Sequence, residues 1–405
     1  KIIPSLLFSS LVFLVYLISK EFTEDEDSIL FASLISAFIP FFISRTINNI
    51  SIFSAALFII LLITLSLIKL NNKKYLNLFM GLSILFPLIH NMAFLFILSL
   101  FVYFILLIVE SKKLEIIKRE AILFSIFIIL VIGFLFFRDA FLLNGFKVIY
   151  QNTPSNLLQN YFRGITIEDL ILNFGLIPLL FGIFGVIYSF IKRKDNTLFL
   201  TSMILTTSFL LVFRLINFSL AVIFLGILLS IMSSIGFESF FKYIRLTKFS
   251  GYFNHIKYSI FILILIMIIV PSYIEAKESN NNALTDNELS ALLWLKEQTS
   301  EDSIVMSSHQ EGNYITQIAK RKNVIDDNFM LIKNIDQRYN DVEMVFTTTS
   351  QVKALQALNR YKVSYVYFSD RTKQIYNIDE IAYTDDNCFK EVYRTEGARI
   401  YKIRC

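Results

Sequence analysis

The chain is poor in the residues that mark most soluble enzymes. It has two cysteines in 405 residues and no paired CxxC, so no zinc ribbon or dithiol redox pair is encoded. Glycine is scarce, at 12, and there is no P-loop, GxGxxG fingerprint, HExxH or nucleophile elbow. Those absences exclude phosphate-cradling loops, zincin chemistry and the α/β-hydrolase site. Charge is also low, at 18%, and no apolar stretch carries a run of charges of the kind a proton relay needs. Two halves with matching broken helices, a mark of many transporters, are not evident.

What is present is apolar. Hydrophobic residues make up 55% of the chain, and the mean hydropathy is +0.60. Soluble domains rarely exceed about half apolar residues. Nearly all the long Phe/Ile/Leu runs precede residue 276. Charge divides at the same place, with 21 Lys+Arg against 14 Asp+Glu in 1–275, and 17 against 19 in 276–405. The expected organisation is a transmembrane helical domain over 1–275 and an α/β domain over 276–405. The basic excess belongs to membrane loops, so no nucleic-acid partner is implied. The chain starts at Lys1, and residues 1–19 resemble a span more than a signal peptide, so the N-terminus is expected to be incomplete.

Apolar stretches near 2–19, 28–44, 50–69, 76–89, 92–109, 121–137, 170–191, 197–213, 215–236 and 257–275 give a polytopic bundle of about ten spans. Five segments, around Lys20, Lys69–Lys74, Lys112–Arg119, Lys192–Lys194 and Lys242–Lys257, hold 15 of the 21 basic residues. All five fall on the cytoplasmic side if 76–109 crosses twice. The acidic run Glu24–Asp27 joins them there. The Arg45–Asn49 turn, the Pro87–Asn91 turn, the 138–169 loop and the tail are then extracytoplasmic.

The tail reads as alternating helices and strands. A helix fits 286–298 with Leu289, Leu292, Leu293 and Leu295 on its apolar side. Val363–Phe368 is the strongest strand signal. The last residues read as a hairpin turning at Glu396-Gly397, which sets Cys388 opposite Cys405 in a non-hydrogen-bonded pair. An extracytoplasmic location permits a disulfide there; two free thiols are the alternative.

Ionisable groups near membrane depth are the first functional candidates. Arg214, inside LLVFRLINFSL, offers a guanidinium fork for a phosphate oxygen, or snorkels to the headgroups. His90, Arg45, Asn48 and Asn49 lie at extracytoplasmic turns as substrate-lining candidates, or as turn residues. Glu168, Asp169 and Asp139 are the acidic candidates of the long loop. Thr166 and Asp169 also fit a helix cap, and Arg138-Asp139 a local ion pair.

The order of these features resembles the GT-C superfamily of membrane glycosyltransferases, which includes oligosaccharyltransferase catalytic subunits and protein mannosyltransferase-like enzymes. Three segments carry the resemblance: 37–58 (AFIPFFISRTINNISIFSAALF), 213–230 (FRLINFSLAVIFLGILLS) and 291–315 followed by VIDDNF at 324–329. The resemblance implies an extracytoplasmic active site, a polyprenyl-phosphate-linked sugar donor, membrane lipid as partner, and a divalent metal such as Mg or Mn. It implies that Arg214 faces the lipid phosphate. The family's metal-binding Asp lies in a first outer loop that would precede Lys1. Asn48 and Asn49 stand where a second acidic site often lies. Where oligosaccharyltransferases carry a WWDYG-type motif, this chain reads Ser307-Ser308-His309-Gln310-Glu311-Gly312. A different acceptor, or a lost activity, follows from that departure. The rival reading is a non-catalytic membrane scaffold or sensor with an extracytoplasmic binding domain. A transporter comes third.

Overall fold

The computed structural model describes residues 2–46, 53–191, 197–248, 250–281, 284–384 and 387–405. Two compact units emerge: Lys1–Arg138 with Asn160–Asn282, and Asp139–Gln159 with Ala283–Cys405. The second unit therefore recruits residues 139–159, which the composition boundary at 275/276 assigns to the membrane domain. Their polar side chains bond to the tail, a long-range pairing that composition does not register.

The first unit is helical: α1 (Ile2–Ser19), α2 (Glu26–Ala37), α3 (Pro40–Thr46), α4 (Phe53–Ile68), α5 (Lys73–Ile89), α6 (Met92–Val109) and α7 (Ile116–Asn144), the last running into the second unit. After α8 (Ser155–Tyr161) come α9 (Ile167–Phe174), α10 (Leu176–Ile191), α11 (Leu198–Val212), α12 (Phe218–Arg245) and α13 (Phe253–Asn281). Helix α12 is the hub, buried along almost its whole length.

About ten crossings were expected. Among the described residues, four helices are long and apolar enough to cross a membrane: α6, α7 with the turn after it, α12 and α13. A fifth arises if α9 and α10, bent by 101°, count as one. The stretch 28–44 breaks into α2 and α3 ahead of Pro40, which cannot continue the hydrogen bonding of a helix. Helices α4 and α11 are apolar but, at 16 and 15 residues, shorter than the roughly 20 a lone span requires.

Polar side chains inside the bundle satisfy themselves locally. Thr64, Thr206 and Ser230 donate to the carbonyls four residues back, at 2.6, 2.7 and 2.8 Å. Such back-bonding needs no water in an apolar interior. Segments expected on one side do meet: Glu21 pairs with Lys69 at 2.7 Å, and Asp27 with Lys257.

The second unit has a five-stranded sheet of order β2-β1-β3-β5-β4. Its strands are β1 (Ile304–Met306), β2 (Lys322–Asn323), β3 (Tyr365–Ser369), β4 (Phe389–Arg394) and β5 (Ala398–Ile403). Strand β1 runs parallel to β2 and β3; β5 runs antiparallel to β3 and β4. The central β3 is buried at every residue, as its β-branched and aromatic content requires. Around the sheet lie α14 (Asp286–Gln298), α15 (Gly312–Gln317), α16 (Ile335–Thr347), α17 (Gln351–Arg360) and α18 (Asp370–Tyr376). A Thr285/Glu288 capping box starts α14. Of its expected apolar side, Leu292 and Leu295 are buried with Ala291, whereas Leu289 and Leu293 stay exposed. The sheet covers only a narrow stripe of that helix.

The hairpin turns at Glu396-Gly397, with the Thr395 N–H donating to the Ala398 carbonyl at 2.8 Å. Its register is the expected one near the turn (Arg394 opposite Arg399) but slips by one at Val392, so Glu391 faces Tyr401. That bulge places Cys388 across from Arg404, whose N–H donates to the Cys388 carbonyl at 2.9 Å. The pairing with Cys405 that an unbroken register gives is thus corrected. The two sulfurs are nevertheless joined, with a Cα–Cα separation of 5.0 Å. Non-reduced, denatured protein is expected to show no free thiol; a count of two excludes the bridge.

Candidate functional site

The site is built where α11 hands over to α12. Helix α11 ends at Val212, and the chain reverses through Arg214, which adopts a left-handed conformation with φ of 56°. Asn217 then caps α12, its side chain accepting from the N–H groups of Ser219 and Leu220 at 3.0 and 3.4 Å. A left-handed backbone costs a side-chain-bearing residue about 1–2 kcal/mol, so arginine is an expensive choice at this turn. Strain of this kind gathers at functional positions. Arg214 is exposed, and among the described residues no carboxylate pairs with it.

The guanidinium lies beside Gly164. A Cβ at that glycine would stand 3.0 Å from Arg214 Nη2 and 3.6 Å from its Cζ, so the missing side chain leaves the fork its room. The neighbouring Arg163 lies over the Phe218 ring, at 4.2 Å from its centroid, and pairs with Asp169 at 2.9 Å. Asp169 in turn accepts from the Thr166 N–H and hydroxyl, at 3.1 and 2.8 Å, while its own N–H donates to Thr166. This capping box fixes the start of α9. Helix α3 packs against α9, and its Phe41 meets Phe218 edge-on at 6.5 Å.

The sequence candidates therefore separate. Arg214 and Asp169 belong to one neighbourhood, joined through Gly164 and Arg163. Asp169 is engaged on all sides as cap and ion-pair partner. Glu168, on the same first turn of α9, is exposed, and among the described residues nothing pairs with it. Arg45 lies in the last turn of α3; Asn48 and Asn49 lie outside the described residues. His90 ends α5 in extended conformation and accepts from the Met92 N–H through Nδ1 at 3.1 Å. That bond gives His90 a local role at the start of α6. Asp139 is exposed and falls in the second unit.

Arg163, Gly164 and Asn217 were not singled out from the sequence. The Asn-Phe-Ser step before an apolar run is an N-cap signal that marks Asn217. Nothing local marks Arg163. Among the described residues, no three His, Cys, Asp or Glu side chains gather to hold a metal ion. The divalent metal implied by the GT-C resemblance finds no donor set among those residues.

The Ser307–Gly312 stretch of the second unit is a buried polar knot. The Glu311 carboxylate accepts from the hydroxyls of Ser308 and Thr372, both at 2.6 Å, and from Ser369. Burial pushes its carboxyl up, against three hydroxyls that favour the charged form. A Cβ at Gly312 would stand 2.0 Å from the Ile325 carbonyl oxygen, so only glycine fits. His309 is buried between the rings of Tyr339 and Phe329, at 5.5 and 6.3 Å, and its Nδ1 has no partner among the described residues. Asp327 lies 4.0 Å from its Nε2, with 43% of that side chain exposed, and burial together with the neighbouring Asp326 pushes its carboxyl up to about 7.

Burial pushes the His309 imidazole down to about 4. Its unfolded value is about 6.5, so the unfolded chain binds the extra proton between pH 6.5 and 4. The His309 contribution to stability is lost as pH falls through that window, by about 2 kcal/mol between pH 7 and 5. Glu311 and Asp327, whose carboxyls burial raises, act in the opposite sense, because protonation relieves the cost of their burial. The single tryptophan, Trp294, stacks on Tyr393 at 5.4 Å and reports unfolding of this unit. Denaturation followed by Trp294 should show stability falling more steeply, or rising less, from pH 7 to 5 in the wild type than in His309→Gln. Equal slopes in the two proteins would discard the assignment.

Protein-family models and curated protein sequences give no match to this chain. Solved structures do. Archaeal oligosaccharyltransferase AglB from Archaeoglobus fulgidus, in complex with an inhibitory peptide and a dolichol-phosphate, superposes with a TM-score of 0.60 at 15% identity over 91% of this chain. The apo form of an oligosaccharyltransferase from the same organism gives 0.59 at 16% over 91%. Its complex with Zn and sulfate gives 0.58 at 15% over 99%. The chain spans 58%, 58% and 61% of the lengths of those three proteins. At such identities the likeness shows the fold alone: an apolar helical unit followed by a mixed α/β unit, as in those oligosaccharyltransferases.

Proposed function

We propose that the protein is a GT-C-type integral membrane glycosyltransferase that takes a sugar from a polyprenyl-phosphate-linked donor at the extracytoplasmic face. The observation that carries the reading is Arg214: an exposed guanidinium without a carboxylate partner among the described residues, held in a left-handed turn beside a glycine that leaves it room. The dolichol-phosphate bound to the AglB neighbour supports a lipid phosphate as its ligand.

In the proposed reaction an acceptor hydroxyl or amide attacks the anomeric carbon of the donor sugar. The bond from that carbon to the phosphate oxygen breaks, and its electron pair stays on the phosphate. Arg214 offsets the growing charge through two parallel N–H···O bonds. The acceptor proton passes to a carboxylate, and Glu168 is the candidate because Asp169 is committed to Thr166 and Arg163. Ser307–Gly312 departs from the WWDYG-type motif, and Glu311 within it is enclosed by Ser308, Ser369 and Thr372, which supports an acceptor other than an asparagine sequon. About ten crossings, with the mixed α/β unit extracytoplasmic, complete the reading.

The test is turnover of full-length protein in liposomes on a panel of polyprenyl-phosphate and polyprenyl-pyrophosphate sugars, with divalent metal and with chelator. Transfer of any donor supports the reading. Well-folded protein that transfers none moves the assignment to a membrane scaffold or sensor.

A further inference from the structure

Residues 139–159 carry two sets of side chains with different fates. The polar set is pinned to the second unit. Asn144 Nδ2 donates to the Met330 carbonyl at 2.7 Å, and Asn152 Nδ2 to those of Phe329 and Ile332, both at 2.8 Å. Asp336 accepts from the Ser155 N–H and hydroxyl at 2.7 and 3.0 Å, and pairs with Lys147 at 2.7 Å. The apolar set is bare. Leu142 is 70% exposed, Phe146 78% and Ile149 58%, and Leu331, from the segment they are pinned to, is 63% exposed.

Chain continuity says what covers them. Helix α7 has 29 residues. At 1.5 Å per residue that is about 43 Å, against a hydrocarbon core of about 30 Å. Its charged start, Lys118 to Glu120, belongs at one interface. The apolar stretch from Ala121 to Phe137 ends at Arg138-Asp139, which mark the other interface. The chain beyond therefore emerges at headgroup level. Gly145, with φ of 56°, then ends the helix and turns the chain, and Phe146 and Ile149 follow on a 3-10 turn.

We propose that Leu142, Phe146, Ile149 and Leu331 insert into the headgroup–acyl boundary of the bilayer. Residues 139–152 are then an interfacial foot: apolar side chains enter lipid, while the polar ones hold the second unit through Asn144, Lys147 and Asn152. The proposal does not depend on glycosyl transfer.

Purified full-length protein in proteoliposomes tests it, since no protein partner is then present to cover these residues. The native cysteines are bridged, so Phe146→Cys, Ile149→Cys and Val352→Cys each give one free thiol for a nitroxide label. All three side chains are exposed, Val352 being an exposed position of α17 in the same unit. Trp294 emission confirms that each variant is folded. Labels at 146 and 149 are expected to collide several-fold more with oxygen, relative to a water-soluble nickel chelate, than the label at 352. Labels at 146 and 149 as aqueous as that at 352 overturn the proposal.

Discussion

Replacing Arg214 with glycine is expected to lower sugar transfer by about 10²–10³-fold, the usual cost of removing one charge-stabilising group from a transition state. Glycine is the informative substitution because the position is left-handed, with φ of 56°. It removes the guanidinium and relieves the backbone strain, so the melting temperature should hold or rise. A merely structural arginine would give the opposite pattern, with stability falling and the activity of the folded fraction preserved. Arg214→Lys keeps the charge but not the two-pronged geometry and should fall between. In the proposed role the group acts on the departing phosphate, and the loss should then lie mainly in kcat. An Arg214→Gly protein that transfers sugar at the wild-type rate would remove Arg214 from the mechanism.

The largest expected effect on stability is at Gly185. There α10 and α12 touch backbone to backbone. A Cβ on Gly185 would stand 2.0 Å from the Met232 carbonyl oxygen, one on Gly182 2.6 Å from that of Leu229, and one on Gly236 2.3 Å from that of Phe181. A carbonyl inside a helix cannot swing aside, so the helices themselves must separate. Small residues at such crossings supply close packing that apolar surroundings do not otherwise drive. Gly185→Ala should cost about 3 kcal/mol, the upper end of ordinary overpacking, and Gly185→Leu should prevent the pair from forming. Gly81 is the control: nothing lies within 4 Å of its would-be Cβ. Gly81→Ala, inside α5, should be neutral or stabilising by up to about 1 kcal/mol. Thermal melts of the detergent-solubilised variants by circular dichroism decide the matter, and Gly185→Leu melting with the wild type would refute the packing argument. The effect reaches the candidate site, because α10 follows directly from α9, whose first turn carries Glu168 and Asp169.

Local signals in the sequence were reliable where the physics is local. The helix at 286–298, the Thr166 cap, the strand expected at 363–368 and found at 365–369, and the Glu396-Gly397 turn depend on residues within a few positions of one another. So does the division into an apolar and a mixed region, because burial in lipid demands long uninterrupted apolar runs. The fold likeness to archaeal oligosaccharyltransferases emerged although each motif is weak, because it rests on the order of elements more than on identity.

Other features were settled only by contacts distant in sequence. Ten apolar stretches did not become ten long helices, since Pro40 breaks one and neighbours in the bundle shelter shorter ones. Residues 139–159 joined the tail through side-chain bonds to positions almost two hundred residues away. A single extra residue at Val392 moved the hairpin register, which strand alternation alone does not encode. Arg214 stood out in the sequence as a charge among apolar neighbours. That Gly164 makes room for its guanidinium, and that Arg163 occupies Asp169 and leaves Glu168 unpaired among the described residues, follows only from folding two distant segments together. Composition and periodicity determine which residues must leave water. Which polar groups meet once they have done so is decided by packing.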